Sequence, residues 1–521
     1  MSKSSKNTPA YSSPAGGWGA LKSSAKHLIQ SEGAIRSVKA LLKANQPGGF
    51  DCPGCAWGDS TSAGKVEFCE NGVKAIAWEA TSKRVDRHFF NQFSLTQLQQ
   101  WDDHTLEKSG RLTEPMYYNG ESDHYQPISW EEAFNIIGDS LKQLPSPNEA
   151  LLYTSGRASN EVAYLYQLFG RVLGTNNFPD CSNMCHEASG TGMTKSIGVG
   201  KGTVTMDDFS QADAIFVFGQ NPGTNHPRML ATLRKASLRG AKIVSINNLK
   251  ERGLQKFSDP QSPKEMIFFT GTNISQHYFT PRLGGDMALL RGVAKCLLEW
   301  FEQDKSVLDT DFIKQHCHGF ESYQHSVEAS SWENILRQSS LTKEEIIQIA
   351  KLYITSKKVI FTWAMGITQH QHSVATVREL VNVLMLRGNI GKPGTGACPV
   401  RGHSNVQGNR TVGINEKPTM AFLDSLEQHY AFTVPREHGY NTVESIHAML
   451  SGKVKMFIGL GGNFAAATPD TQRTYQALNN CDLTVQISTK LNRSHVVTGK
   501  RALLLPCLGR TEIDRQDSGE Q

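Results

Sequence analysis

Cys52-Pro53-Gly54-Cys55 sets two thiols on one tight turn, and Cys69 follows in Phe68-Cys69-Glu70-Asn71-Gly72. Cysteine is used sparingly elsewhere, and no targeting segment points to an oxidising compartment. The cluster therefore points to a metal or iron–sulfur centre rather than a disulfide. Iron–sulfur clusters take four ligands, usually thiolates. With three cysteines in the stretch, Asp59 or a distant residue would supply the fourth. A structural zinc site and unliganded cysteines are the alternatives.

Three further segments carry chemistry-bearing residues. In Cys181-Ser182-Asn183-Met184-Cys185-His186-Glu187, Cys185 stands beside His186. Such a thiol is a nucleophile or a soft-metal ligand, or else a buried structural cysteine next to a surface histidine. Gly366-Ile367-Thr368-Gln369-His370-Gln371-His372 precedes a helix carrying Arg378. Histidines two apart can bind metal and are more often polar loop residues. Gly388 to Gly396 and then Arg401-Gly402-His403-Ser404-Asn405-Val406-Gln407-Gly408 form Gly-rich stretches with amide side chains. Such backbone wraps polyanionic or heteroaromatic ligands through its N–H groups. Neither a Walker pattern nor a Gly-x-Gly-x-x-Gly opening a helix after a strand is present, which disfavours a plain ATP or NAD enzyme.

These residues need elements to hold them. Apolar runs bounded by Gly or Asn read as buried parallel strands: 151–156, 214–219, 242–247, 358–366, 454–461 and 483–488. Amphipathic helices read at 161–174, 227–240, 286–302, 343–356, 374–387 and 444–451. This is α/β architecture with mostly parallel sheets. The strands group by sequence into one set at about 150–250 and another at about 358–505, with a mainly helical insertion between them. Ligands of open α/β sheets bind at the carboxyl ends of strands, so two sets suggest two nucleotide-like ligands or one large divided one. The 521 residues suffice for several domains. A formal charge of +5 is small for this length and gives no support for nucleic-acid binding. No apolar run is long enough to span a membrane. The Ser-, Lys- and Pro-rich start is no secretory signal and reads as a disordered or extended arm of a cytoplasmic protein.

The order of these motifs resembles the catalytic subunits of molybdopterin oxidoreductases, in their formate dehydrogenase alpha-subunit-like branch. The motifs are the cysteine cluster, Cys185-His186, the Gly219-Gln220-Asn221 turn and the Arg401 to Gly408 loop. The resemblance runs from about residue 48 to the C-terminus. It implies a bis-molybdopterin guanine dinucleotide cofactor carrying molybdenum or tungsten, and one [4Fe-4S] cluster on Cys52, Cys55 and Cys69. Cys185 falls at the metal-ligating position, His186 at the adjacent catalytic histidine, and Arg378 at the active-site arginine. Gly219, Gln220, Asn221, Asn247, Gly366, Thr368, Gly461, Asn463, Lys490 and Asn492 fall where the family contacts its pterin nucleotides. Arg401, His403, Asn405 and Gln407 belong to the same cofactor-binding set.

Two positions depart from the family pattern. Asp59 stands where a third cluster cysteine is usual, and Asn71 where a lysine relays electrons to the pterin. The expected organisation is an arm at 1–46, an iron–sulfur region at 47–125, a first pterin-binding α/β domain at 126–250, a helical insertion at 251–340 and a second α/β domain at 341–521. Relatives continue into a C-terminal β-barrel domain that is expected to be missing here. The implied activity is oxidation of formate to CO2, with a separate electron-transfer partner. Reduction of nitrate or another oxyanion, or a catalytically silent cofactor-free fragment, are the other readings.

Overall fold

Apolar runs that lack alternation become strands covered on both faces. The computed structural model describes residues 12–59, 64 and 66–520. In chain order its two main sheets use β1 (Met116–Tyr118), β2 (Gln126–Pro127), β3 (Ala150–Thr154), β4 (Ala214–Phe218), β5 (Lys242–Ile246), β6 (His277–Phe279), β7 (Val359–Trp363), β8 (Gly396–Pro399), β9 (Met456–Leu460), β10 (Leu483–Ser488) and β11 (Arg501–Pro506). Every residue of β3, β4 and β7 is buried, the signature of parallel strands sandwiched between helices.

The chain divides into two units. One joins Met1–Ala25 to Gly192–Pro399, and the other joins Lys26–Thr191 to Val400–Gln521. The first holds a sheet of order β6-β5-β4-β7-β8, parallel throughout. Its core packs Phe216, Phe218, Phe361 and Trp363 against the helices Asp286–Phe301, Lys343–Ile354 and Ser373–Leu386. The second holds a sheet of order β2-β1-β11-β10-β9-β3. Its strands β11, β10, β9 and β3 are parallel, and β1 and β2 continue it antiparallel.

Local signals explain the flanking helices. Asn160–Leu173 starts from Ser159, whose hydroxyl accepts the Val162 N–H, and stops at left-handed Gly174. Pro227–Arg239 has Pro in its first turn and stops at left-handed Gly240. Both are standard N- and C-terminal signals. Lys343–Ile354 opens on a capping box between Thr342 and Glu345.

The structure departs from the sequence reading in its pairings. Strand β3 was expected beside β4 and β5, yet it pairs with β9 (Met456 opposite Ala150). Strand β7 was expected beside β9 and β10, yet it lies between β4 and β8. The boundaries at 126–250 and 341–521 therefore do not follow the sheets. All-apolar parallel strands carry no sequence mark of their partner. The 251–340 stretch is not a separate insertion: β6 completes the first sheet, and the helix Asp286–Phe301 is part of that unit's core. Residues 1–11 of the expected arm lie outside the described residues, whereas 17–30 and 34–41 are helical. Glu70–Glu79 is also a helix, where loop was expected. Its Glu-Asn-Gly opening masks the apolar face made by Val73, Ile76 and Ala77.

Candidate functional site

In the first unit the expected residues meet at the carboxyl ends of β4, β5 and β7. Gly219 turns the chain with φ +52°, and the Gly366 N–H donates to its carbonyl at 3.1 Å. A Cβ on Gly366 would stand 2.5 Å from that carbonyl oxygen, so the two turns touch backbone to backbone. Asn247 Nδ2 donates to the Gln220 carbonyl at 3.1 Å, and Thr362 Oγ1 donates to Gln220 Oε1 at 3.3 Å. Asn221 Nδ2 donates to Glu251 at 2.8 Å, while its Oδ1 accepts the Thr224 N–H. Thr368 is buried in the short helix Met365–Thr368. Arg378 belongs to this unit too, exposed on the helix Ser373–Leu386. Its neighbour Glu379 is buried, paired with Arg291 at 3.2 Å and accepting from Tyr323 at 2.9 Å.

In the second unit a matching set forms at the ends of β9 and β10. Gly461 and Gly462 both have positive φ, and Asn463 opens the short helix that follows. Asn492 Nδ2 donates to the Gly462 carbonyl at 2.7 Å, joining the two strand ends. Lys490 lies over the Trp78 ring, its ammonium 4.9 Å from the ring centroid.

The Cys181 to His186 segment and the Arg401 to Gly408 loop both belong to this same unit and meet the end of β3. The Gly156 N–H donates to Cys181 Sγ at 3.1 Å, and the Asn405 N–H donates to the Gly156 carbonyl at 2.7 Å. Asn405 Nδ2 also reaches the Ala158 carbonyl at 2.7 Å. A Cβ on Gly156 would stand 2.7 Å from Val406 and 2.9 Å from His403, so only glycine admits the loop this closely. Cys185 and His186 are buried, and His186 Nδ1 lies 2.9 Å from Ser189 Oγ. Burial pushes the Cys185 thiol up, while the Gly402 N–H and the Arg401 cation pull it back. Arg401 is itself buried. Burial, helped by Arg157, pushes His403 down to about 4, so it is neutral at pH 7. Gln407 sits in the helix Val406–Thr411.

Cys52 is buried, and Cys55 and Cys69 are half-buried. The Cys52 N–H donates to Asn45 Oδ1 at 2.8 Å, and its sulfur accepts the Gly54 N–H at 3.4 Å. A Cβ on Gly72 would come 3.0 Å from that sulfur. Cys69 is the N-cap of Glu70–Glu79. Cys52 and Cys69 thus both sit at the start of one helix. Among the described residues, no group of three or more His, Cys, Asp or Glu side chains is gathered in the manner of a metal site. Asp59 borders residues 60–63, which lie outside the described ones.

Sequence reasoning missed a charged cluster behind Cys185. Arg410 lies 2.8 Å from Glu416, 3.2 Å from Glu187 and 3.7 Å from Asp180. Burial pushes Asp180 up to about 6, against the pull of Arg410. Asn409 donates to the Ser155 carbonyl at 3.0 Å. Asn409 and Arg410 directly follow Gly408, so following the polar loop two residues further would have found them.

Two mainly parallel sheets with glycine- and amide-lined strand ends, and a buried Cys-His pair at one of them, define a cofactor-dependent α/β enzyme scaffold. The family model described as Molybdopterin oxidoreductase matches residues 111–496, and the chain belongs to that family. It is 48% identical to Protein YdeP of Escherichia coli K12, over 99% of this chain and 69% of that one. It is 50% identical to Uncharacterized oxidoreductase Rv2900c of Mycobacterium tuberculosis, over 95% of this chain and 63% of that one. Formate dehydrogenase H of Escherichia coli K12 is 27% identical, over 83% of this chain and 59% of that one. Among solved structures, acetylene hydratase from Pelobacter acetylenicus shares the fold, with a TM-score of 0.57 at 16% identity, over 79% of this chain and 57% of that one.

The family implies a pterin cofactor with molybdenum or tungsten, and the residues in place suit such a group. The strand ends offer positive-φ glycines and amide side chains to a nucleotide-like ligand. Cys185 offers a soft sulfur beside a buried cation. No helix among the described residues is long and apolar enough to cross a membrane.

Proposed function

We propose that this chain is the catalytic part of a cytoplasmic formate dehydrogenase-type enzyme, in which formate loses a proton and two electrons to become CO2. The observation that carries the reading is the buried Cys185-His186 pair, with Arg401 and the Gly402 N–H beside the thiol. Cys185 would ligate molybdenum or tungsten, and the bound pterin metal would supply two-electron chemistry. Arg378 would grip the formate carboxylate with its planar fork. His186 would accept the proton. Two guanine dinucleotides would be held, one by Gly219, Gln220, Asn221, Asn247, Gly366 and Thr368, the other by Gly461, Asn463, Lys490 and Asn492. The loop residues Arg401, His403, Asn405 and Gln407 would help to position them. Cys52, Cys55 and Cys69, with Asp59 the candidate fourth ligand, would hold an iron–sulfur centre suited to one-electron transfer.

Elemental analysis and a formate-dependent dye-reduction assay on the purified protein test this reading. Molybdenum or tungsten with iron, and formate turnover, are expected. Metal without formate turnover removes the substrate assignment. Nitrate-dependent oxidation of a reduced viologen would favour the oxyanion reductase, since one scaffold serves many substrates. A protein with neither metal would be the silent form.

A further inference from the structure

A cavity of about 1010 Å³ opens in the second unit beside the Cys52 loop. Six cationic side chains line it, Arg36, Lys39, Lys43, Arg84, Arg111 and Arg510, against two carboxylates, Glu79 and Glu512. The carboxylates are already engaged. Glu512 pairs with Arg111 at 2.5 Å, and Glu79 accepts the Thr511 N–H at 3.1 Å. Arg111 also donates to the Glu79, Thr489 and Cys507 carbonyls. Four further cations, Arg36, Lys39, Lys43 and Arg84, are exposed and, among the described residues, unpaired with any carboxylate, although Arg36 donates to Ser82 Oγ and Arg84 to the Thr81 and Lys83 carbonyls. Arg36 and Lys39 are three apart on the helix Ala34–Leu41, and Lys43 lies four further on, just past its end. That spacing lays one basic stripe along the cavity wall.

The stripe faces the loop that carries the thiols. Gly48, Gly49 and Phe50 line the cavity, two residues before Cys52. Arg510 Nη1 donates to the Asp51 carbonyl at 3.2 Å, fixing the cavity floor to that loop. A concave basic surface focuses its field outward and speeds the arrival of acidic partners.

We propose that this basic cavity is the docking surface for an acidic one-electron carrier protein, which meets the chain beside the Cys52 loop. The inference rests on the redox reading above, because it takes the cysteine loop as the place where electrons leave. Charge complementarity selects the occupant, and the exposed cations set its strength.

The test is direct binding of an acidic iron–sulfur ferredoxin to the immobilised full chain at 20 to about 300 mM salt. Association that slows steeply with salt is expected. Lys39→Glu combined with Lys43→Glu should slow it about 10-fold or more at low salt. Lys142→Glu, an exposed reversal on another helix, should leave it unchanged. Equal binding by parent and double variant overturns the proposal, as does absence of binding at low salt. So does binding of inorganic pyrophosphate in the cavity with no ferredoxin binding, which would make it a small-anion site. Formate-dependent reduction of a small dye is measured on the same samples. Its absence, with the binding result intact, would remove the formate reading and leave the docking surface standing.

Discussion

Gly366→Ala tests whether the carboxyl ends of β4 and β7 are held apart by nothing more than glycine. The new Cβ would lie 2.5 Å from the Gly219 carbonyl oxygen and 2.7 Å from its Cα, where ordinary contact begins at 3.4 Å. The two turns must therefore separate by about 0.9 Å, and both contact atoms are backbone, so no side chain can swing away. The 3.1 Å bond from the Gly366 N–H to the Gly219 carbonyl stretches with them. Overpacking of this kind costs about 1–3 kcal/mol, and a weakened hydrogen bond about 1 kcal/mol more. The expected loss is about 2–4 kcal/mol in urea unfolding, read as a lower midpoint at unchanged m-value. Two other glycines calibrate the measurement. Gly240 has φ +96° with nothing within 4 Å of an added Cβ, so Gly240→Ala should cost only the left-handed strain, about 1 kcal/mol. Gly138 lies inside the helix Trp130–Lys142 with open space around it, so Gly138→Ala should stabilise by about 0.5–1 kcal/mol. The Gly366 variant should also retain less pterin after desalting. A Gly366→Ala protein as stable as Gly240→Ala would refute the backbone contact.

Cys185→Ala should bring formate-dependent dye reduction to background while circular dichroism stays that of the parent; retained turnover would show that the thiol is not needed. Buried Arg171 donates to the Gly413 carbonyl at 3.0 Å and the Asn415 carbonyl at 3.1 Å, with Phe178 stacked 4.7 Å from its guanidinium. Arg171→Ala should therefore destabilise by about 2–4 kcal/mol in urea unfolding, because it leaves those carbonyls unpaired and a cavity beside Phe178. His495 Nδ1 accepts the Asn492 N–H at 2.9 Å, and burial pushes its pKa down to about 4 from 6.5. A depressed histidine leaves the unfolded chain binding the extra proton, so its contribution falls as pH drops from 6.5 towards 4. Between pH 6.5 and 5 the parent should lose about 2 kcal/mol more than His495→Gln, measured as the difference between two unfolding series; parallel series would contradict it.

The α/β class was legible because buried strands such as 214–218 and 359–363 are continuous apolar runs. The strand ends were legible because glycine and asparagine punctuate them, as in Gly219 to Asn221 and Gly461 to Asn463. Pairing was not. Strand β3 is separated from its neighbour β9 by some 300 positions, and nothing in Leu-Leu-Tyr distinguishes that partner from β4. Strand β8 was hidden for another reason. Gly396 and Pro399 frame only four residues, and the preceding glycines read as loop. The Asp180–Arg410 contact was hidden because both are common charged residues that stand more than two hundred positions apart.

That distance gives Arg401 its meaning. Cys185 and Arg401 both belong to the second unit, yet the whole of Gly192–Pro399 is built between them. Taking a guanidinium out of water costs several kcal/mol unless an anion compensates it. Around these segments the carboxylates of Glu416, Glu187 and Asp180 already surround Arg410. The groups that offset the burial of Arg401 are Cys185 first and Glu187 next. A role in holding the thiolate and a role in packing make different predictions. If the charge matters, Arg401→Lys should keep most of the bound molybdenum or tungsten while Arg401→Met loses it, at similar melting temperatures. If only packing matters, Met fills the volume as well as Lys does, and the two variants should retain metal alike. Equal metal-to-protein ratios in the two variants would therefore end the electrostatic account of this residue.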